Sequence, residues 1–272
     1  MKIKKDKIAI LGCGNIGTAI ANGLVKSKMF AKDKVYLTRR DISSLNEFKK
    51  EGFKIASNKE AINNADVLII AVTPQQIDNL LDEIKDVVDE NRHLVLSVVS
   101  GVSIKQIKTK FGKEINVVRV MPNTAIAIQE SMTCISGDGK SKEGLKIAED
   151  IFNQLGETVI IKEDLMVPAT ALCACGVAFF LRAVRAASQG GIEIGFHANQ
   201  ALFMAAQTAK GAASLLLKSD THPESEVDKV TTPKGVTITG LNQMEHNGFS
   251  SALIKGIVTS AEKAQTLYST KD

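Results

Sequence analysis

The chain has 272 residues, 44% of them hydrophobic and 24% charged, which supplies a sizeable core and excludes a disordered polymer. Its formal net charge of +4 is spread along the chain without the arginine-rich or aromatic-interleaved stripe that nucleic-acid binding needs, so small anions suit it better than polyanions. The apolar run after the basic start is too short to cross a membrane and leads into glycines with no cleavage pattern, so a soluble cytoplasmic protein is expected.

Residues 7–11, Lys-Ile-Ala-Ile-Leu, read as a buried strand, and Gly12-Cys13-Gly14-Asn15-Ile16-Gly17 follows at once, leading into a helical pattern that lasts to about Ser27. Strand, GxGxxG and helix in that order make the dinucleotide fingerprint, which nominates Gly12, Gly14, Asn15, Ile16 and Gly17 as cofactor-binding residues. Gly12 permits the tight turn, Gly14 the approach of a pyrophosphate and Gly17 close packing of helix on strand. The alternative is a glycine-rich turn without a ligand.

A second strand from Lys34 to about Leu37 runs into Thr38-Arg39-Arg40-Asp41. An NAD-selective fold tends to carry a carboxylate at this distance, whereas Arg39 and Arg40 offer guanidinium groups suited to a ribose 2′-phosphate, which points to NADPH over NADH. Asp41 leaves room for the opposite reading, as does a plain surface role for both arginines.

Further apolar strands are expected at Val67–Val72, His93–Val99, Ile115–Met121, Met132–Ile135 and Thr158–Ile161. Between them lie a helix starting at Pro74 and running to Val88, and one capped by Ser103 and closed by Gly112. Alternation of this kind gives a doubly wound, mostly parallel, Rossmann-like sheet over residues 1–162. Ligands bind outside the carboxyl ends of such strands, which adds Ala71, Val72, Thr73, Pro74, Met121, Pro122 and Asn123 to the cofactor candidates.

From about Asp164 the composition changes to apolar helices, and residues 163–272 form an all-helical second domain. A long helix spans Leu165–Ser188 with a break at Gly176, another spans Asn199–Lys218, Thr221-His222-Pro223-Glu224 has the form of a capping box, and a last helix begins at Phe249. So small a domain cannot cover faces this apolar, and either a second subunit or the nucleotide domain must do so. Within it, Asp228–Glu245 is the substrate candidate: Thr231 and Thr232 offer hydroxyls, Pro233 bends the chain, and Gly235 opens a helix at Val236 and Thr237. Unpaired amides at that helix start favour a carboxylate or phosphate, the alternative being an ordinary N-cap. Cys13, Cys134, Cys173 and Cys175 lack metal or redox spacing and read as reduced structural thiols, and His93, His197, His222 and His246 share no metal-site spacing.

Over nearly its full length the chain resembles the pyrroline-5-carboxylate reductases. The resemblance rests on GCGNIG, on Ala71 to Gln75, on Val118-Arg119-Val120-Met121-Pro122-Asn123-Thr124, on Ala205-Ala206-Gln207-Thr208 with Gly211-Ala212-Ala213, and on Thr232-Pro233-Lys234-Gly235-Val236-Thr237. It implies hydride transfer from a nicotinamide cofactor, NADPH by the arginine reading above with NADH as the alternative, to the C=N bond of 1-pyrroline-5-carboxylate, giving L-proline in proline biosynthesis, or to that of a related cyclic imino acid. It implies a substrate loop of Thr232, Gly235, Val236 and Thr237, with Thr237 as the catalytic residue at the ring nitrogen, a nicotinamide near Met121–Thr124, and a homodimer built by the C-terminal helices; Lys234 in the same loop either stays solvated or adds a positive charge beside the carboxylate. The chain departs from the family pattern at Thr73, where a lysine is usual, at Ala125, where a proline is, at Lys234, where a glycine is, and at Cys173–Phe179, where a Ser-Gly-Ser-Gly-Pro-Ala-Tyr run is. Two rivals stay open. A hydroxyacid or keto-acid reductase needs a lysine on the long helix, and Thr170–Ser188 has none; a non-catalytic NADPH-binding regulator has no need to keep both Thr232 and Thr237.

Overall fold

The computed structural model describes residues 6–139 and 142–266, which leaves the basic start, Met1–Lys5, and the last residues of the helical segment, 267–272, outside the described residues. Eight strands form one sheet: β1 (Ile8–Leu11), β2 (Val35–Thr38), β3 (Lys54–Ile55), β4 (Val67–Ile70), β5 (Leu94–Ser97), β6 (Asn116–Met121), β7 (Ser131–Gly137) and β8 (Gly156–Ile160). Their order is β3-β2-β1-β4-β5-β6-β7-β8, parallel except where β6 meets β7. Between them lie α1 (Asn15–Lys26), α2 (Asn46–Lys50), α3 (Asn58–Asn64), α4 (Ile77–Ile84), α5 (Ile104–Phe111) and α6 (Lys142–Phe152).

The sheet is doubly wound because its central strands are apolar on both faces. Ile8 and Ile10 of β1 enter one buried cluster with α1 and α6, while Ala9 and Leu11 enter another with α3, α4 and α5. Strands β4 and β5 divide their residues in the same way. The chain winds from β1 out to β3 and then resumes at β4 on the other side, so the sheet has its switch point between β1 and β4.

Beyond β8 the helical segment comprises α7 (Met166–Ala169), a single π-helical turn (Thr170–Cys175), α8 (Gly176–Glu193), α9 (Ala198–Lys218), α10 (Pro223–Lys229), α11 (Val236–His246) and α12 (Phe249–Gln265). The chain divides into two compact units, residues 1–175 with 260–272 and residues 176–259. The division comes later than the change of composition because residues 163–175 pack with the sheet. Met166 and Ala169 share a buried cluster with Met121 and Cys134. Glu163 accepts a hydrogen bond from the Ile104 amide at 2.7 Å and pairs with the buried Arg119 guanidinium at 3.3 Å, which holds the start of α5 and the end of β8 together.

Three local expectations need correction. The helix after Pro74 is a 3₁₀ turn, Pro74–Gln76, followed by α4, which stops at Ile84 rather than Val88, because Lys85–Val88 close onto the carbonyls of Leu81 and Ile84 as a tightening turn. The irregularity in the long apolar helix lies before Gly176, as the π turn, and Gly176 itself is helical. Helix α10 is capped by His222, whose Nδ1 accepts from the Glu224 amide at 3.3 Å, while the Thr221 hydroxyl donates to Glu226 at 2.6 Å.

His93 lies just before β5 and is buried, with Nδ1 accepting from the Asp89 amide at 2.8 Å and Nε2 3.2 Å from the Ile62 carbonyl. One nitrogen must accept and the other donate, so the ring is neutral. Burial first, and the neighbouring Arg92 second, hold its pKa below the usual 6.5, against the opposing pull of Asp66 and Asp89. The unfolded chain therefore binds more protons than the folded one below about pH 6.5, and the stability His93 contributes is present above that value and lost as pH falls through the lower folded pKa. We expect the melting temperature to fall as pH is lowered from 7.5 to 5.5, and His93→Gln to flatten that dependence while lowering stability at pH 7.5; equal slopes for the two proteins would exclude His93 as the source.

Candidate active site

In the first unit, the carboxyl end of β1 turns sharply because Gly12 adopts a φ of +94°. Its amide and that of Cys13 both donate to the Thr38 carbonyl, at 3.2 and 2.8 Å, which extends the β1–β2 ladder into the turn. A Cβ at Gly12 would stand 2.4 Å from Val72 Cγ1, so no larger residue fits without moving β4's exit. At Gly14, the N-cap of α1, a Cβ would meet nothing within 4 Å, and the cap makes no side-chain hydrogen bond. The amides of Asn15, Ile16 and Gly17 have no intrahelical acceptor and sit at the positive end of the helix dipole. A Cβ at Gly17 would come within 2.9 Å of the Gly12 carbonyl, so α1 lies directly on the turn. An open face on a closely backed glycine turn is the geometry a pyrophosphate requires, and these residues fit a dinucleotide.

Around this turn, Arg39 and Arg40 are exposed at the end of β2. Asp41, next to them, is engaged by Ser43. Its carboxylate accepts from the Ser43 hydroxyl at 2.6 Å and the Ser43 amide at 3.0 Å, and these two bonds hold its pKa below the ordinary aspartate value. Ala71 continues the ladder through its amide to the Leu11 carbonyl at 2.8 Å, and Val72 covers Gly12. The Thr73 amide donates to Gln76 Oε1 at 3.3 Å, with Pro74 opening the turn that follows. Met121, Pro122 and Asn123 end β6 and are all buried. Asn123 ties three elements together: its amide donates to Ser131 Oγ at 3.1 Å, its Oδ1 accepts from the Ala125 amide at 3.0 Å, and its Nδ2 donates to the Cys173 carbonyl at 3.2 Å.

In the second unit, Thr231 closes α10 by donating its hydroxyl to the Val227 carbonyl at 2.7 Å. Thr232–Gly235 then form a turn in which the Gly235 amide donates to the Thr232 carbonyl at 2.9 Å. Lys234 occupies the third position with a φ of +58°, a left-handed conformation that is favourable for glycine and costs a lysine about 1–2 kcal/mol. Gly235 caps α11 without any side-chain hydrogen bond, so the loop does not build the ordinary side-chain N-cap. Val236 is 91% exposed, Lys234 is exposed, and Thr237, the second residue of α11, is half-buried. The structure thus brings Thr232, Lys234, Gly235, Val236 and Thr237 together at one uncapped helix end.

Sequence reasoning missed several residues that shape these sites. Thr38 and Asn58 are joined by a side-chain hydrogen bond of 2.5 Å at the end of β2, and Ser131 stands beneath Asn123 with its hydroxyl 3.0 Å from that of Thr133. Cys134 and Cys173, read separately as structural thiols, have their sulfurs 3.8 Å apart. Cys13 does match that description: it is buried, its thiol donates to the Ile10 carbonyl, and burial pushes its pKa up to about 12.

Residues 7–101 match the family model described as NADP oxidoreductase, coenzyme F420-dependent, and residues 163–267 the model described as pyrroline-5-carboxylate reductase dimerisation. A glycine-turn dinucleotide site on a doubly wound sheet, followed by a dimerisation segment, defines a nicotinamide-dependent oxidoreductase. The chain is 53% identical over its whole length to pyrroline-5-carboxylate reductase 1 of Dictyostelium discoideum, of which it spans 51%. It is 50% identical to pyrroline-5-carboxylate reductase 2 of the same organism, over 96% of this chain and 93% of that one. The solved pyrroline carboxylate reductase of Plasmodium falciparum with NADP bound matches with a TM-score of 0.89 at 26% identity, over 98% of this chain and 100% of that one. The chain belongs to the pyrroline-5-carboxylate reductase family.

The Thr232–Gly235 turn gives a direct test. A Cβ at Gly235 would lie 2.3 Å from Thr232 Oγ1 and 2.9 Å from the Thr232 carbonyl, so Gly235→Ala must force the turn open. If this turn binds the substrate, its KM should rise about tenfold or more with the nicotinamide KM unchanged. Unaltered substrate kinetics would show that the tightness of this turn is irrelevant to binding.

Proposed function

We propose that this chain reduces the C=N bond of 1-pyrroline-5-carboxylate to give L-proline, with NADPH as the preferred donor and NADH usable. The observation that carries this reading is the uncapped, glycine-tight start of α11, an anion site with hydroxyls on both sides of it. The amides of Val236 and Thr237, set in place by the Gly235 turn, together with the Thr232 hydroxyl and the Lys234 ammonium, hold the substrate carboxylate. Thr237 Oγ1 hydrogen-bonds the ring nitrogen and acts as the catalytic residue. A threonine hydroxyl is too weak an acid to be the source of the proton, which comes from water or arrives on the already protonated imine.

The cofactor, when bound, supplies the hydride. Gly12, Gly14, Asn15, Ile16 and Gly17 hold its pyrophosphate, Arg39 and Arg40 its 2′-phosphate, and Ala71, Val72, Thr73, Pro74, Met121, Pro122 and Asn123 line its nicotinamide half. The commitment of Asp41 to Ser43 supports NADPH, because the carboxylate that would favour a free 2′-hydroxyl is already engaged. A protonated imine is a good electrophile, so orientation and electrostatics carry the rate enhancement and no covalent nucleophile is needed.

The working form is a homo-oligomer built on a dimer of the C-terminal helices. Phe180, Leu181, Phe203 and Leu217 are each more than 60% exposed in the single chain, and a second copy is the cover that the dimerisation segment supplies. The same need for cover explains why Glu163–Glu193, alone among the described helices, is long and apolar enough to cross a membrane. The four free thiols suit a reducing compartment such as the cytoplasm, and the dispersed charge supports neither a nucleic-acid nor a membrane partner.

Purified protein with NADPH and pyrroline-5-carboxylate should consume the reduced nicotinamide, and hydroxy and keto acids should not substitute. Thr237→Ala should lower kcat/KM roughly 10- to 100-fold, about 1.4 to 2.7 kcal/mol, without weakening NADPH binding; unchanged steady-state constants would remove Thr237 from the site. Arg39→Ala together with Arg40→Ala should raise the NADPH KM about tenfold and leave the NADH KM alone. A parallel rise in both constants would count against 2′-phosphate recognition.

A further inference from the structure

Two thiols far apart in sequence meet beside the end of β6. Cys134 lies in β7, in register with Met121 of β6, and Cys173 lies in the π-helical turn 170–175. Their sulfurs are 3.8 Å apart, van der Waals contact, against about 2.05 Å in a disulfide, so closing the bond requires the two side chains and the turn that carries Cys173 to move together. Cys134 is buried and Cys173 half-buried, so a small oxidant reaches Cys173 first. Cys175, two residues on, faces elsewhere on the turn. Met121, Met166 and Ala169 surround the pair with apolar atoms.

We propose that Cys134 and Cys173 form an oxidisable dithiol, closed to a disulfide by peroxide, and that closure weakens the neighbouring cofactor site. Cys173 is the better exposed of the two, and the hydrogen bond between the sulfurs lowers its pKa while raising that of the buried Cys134, so Cys173 is the one that reacts as thiolate. The Cys173 thiolate attacks one peroxide oxygen, forming an S–O bond and breaking the O–O bond, and the hydroxide that leaves takes a proton to become water. Cys134 sulfur then attacks the sulfenic sulfur of Cys173, forming the S–S bond, breaking the S–O bond and releasing a second water once its thiol proton is transferred. Two thiols and one peroxide give one disulfide and two waters, with two electrons passing from sulfur to peroxide.

The consequence follows from Asn123, whose Nδ2 is bonded to the Cys173 carbonyl and whose amide is bonded to Ser131 on β7. Drawing the π turn towards β7 displaces the carbonyl that Asn123 holds, and with it the Met121–Asn123 segment. This consequence rests on the cofactor placement proposed above; the disulfide itself does not.

The test treats the full chain with hydrogen peroxide and follows it by mass, peptide mapping and NADPH fluorescence. We expect a loss of two hydrogens in mass, a cross-link between the peptides carrying Cys134 and Cys173, and NADPH affinity at least fivefold weaker, all reversed by dithiothreitol. Cys173→Ser and Cys134→Ser should each bind NADPH as the reduced parent does, and neither should form the cross-link or lose affinity in peroxide; Cys173→Ala replaces the first should it fold poorly. Oxidation of Cys173 to sulfinic acid with no cross-link would overturn the dithiol. A cross-link with unchanged NADPH affinity would overturn its effect on the site, and reduced protein that binds no NADPH would instead sink the cofactor reading while the mapping still decided the disulfide.

Discussion

Strand β1 has no solvent face: all four of its residues are fully buried, with β2 on one side and β4 on the other. Its backbone must therefore stay paired until the moment it leaves the sheet, and the exit has to happen in one residue. Gly12 does this with a positive φ while its amide, and that of Cys13, still donate to Thr38. Helix α1 can then start immediately, its first amides facing outward over Gly14. The dinucleotide site is thus a by-product of how a fully buried strand must end, and the packing of Val72 and Gly17 on Gly12 makes the arrangement rigid.

The second unit solves a related problem with a different device. A helix start with a serine or aspartate at its cap satisfies its own amides and has little left for a ligand. Gly235 leaves them unsatisfied, and Thr232 fills the space a cap side chain would occupy. Lys234 pays for the turn in backbone strain that a glycine would avoid. The strained residue also sets a positive charge on the same turn as those amides.

The sequence made the sheet legible because buried parallel strands are continuous apolar runs: Ile8–Leu11, Val67–Ile70 and Leu94–Ser97 each stand between polar boundaries. The glycine turn, the uncapped loop and the apolar C-terminal helices were legible for equally local reasons. Strand β3, only two residues long, was not, because Lys54 and Ile55 carry no pattern and are held by pairing with β2. The π turn was invisible too, since one extra residue in a helix has no composition of its own, and Gly176 drew the expected break towards itself. Arg39 and Asp41 stand two residues apart and invited opposite readings in sequence, and the Ser43 contacts of Asp41 carry no sequence pattern that would have shown them. The meeting of Cys134 and Cys173 depends on β7 running antiparallel to β6 and on where the π turn lies, neither of which a spacing rule can express.

Where a reaction needs a strong acid, base or nucleophile, a site is recognised by perturbed side chains held in place by other side chains. The arrangement here is of another kind: each unit by itself presents a helix start whose main-chain amides are left accessible by glycine and carry no side-chain cap. Such a site tolerates substitutions that leave the backbone path intact. Thr73 and Ala125 can differ from the family pattern because the turns they occupy are closed by Gln76 and Asn123. Cys173 can replace a hydroxyl because the contact it makes with Asn123 is through its carbonyl. As long as the thiol is reduced, its side chain is thereby released from the task of shaping the site, and only a change that moves the turn itself reaches Asn123.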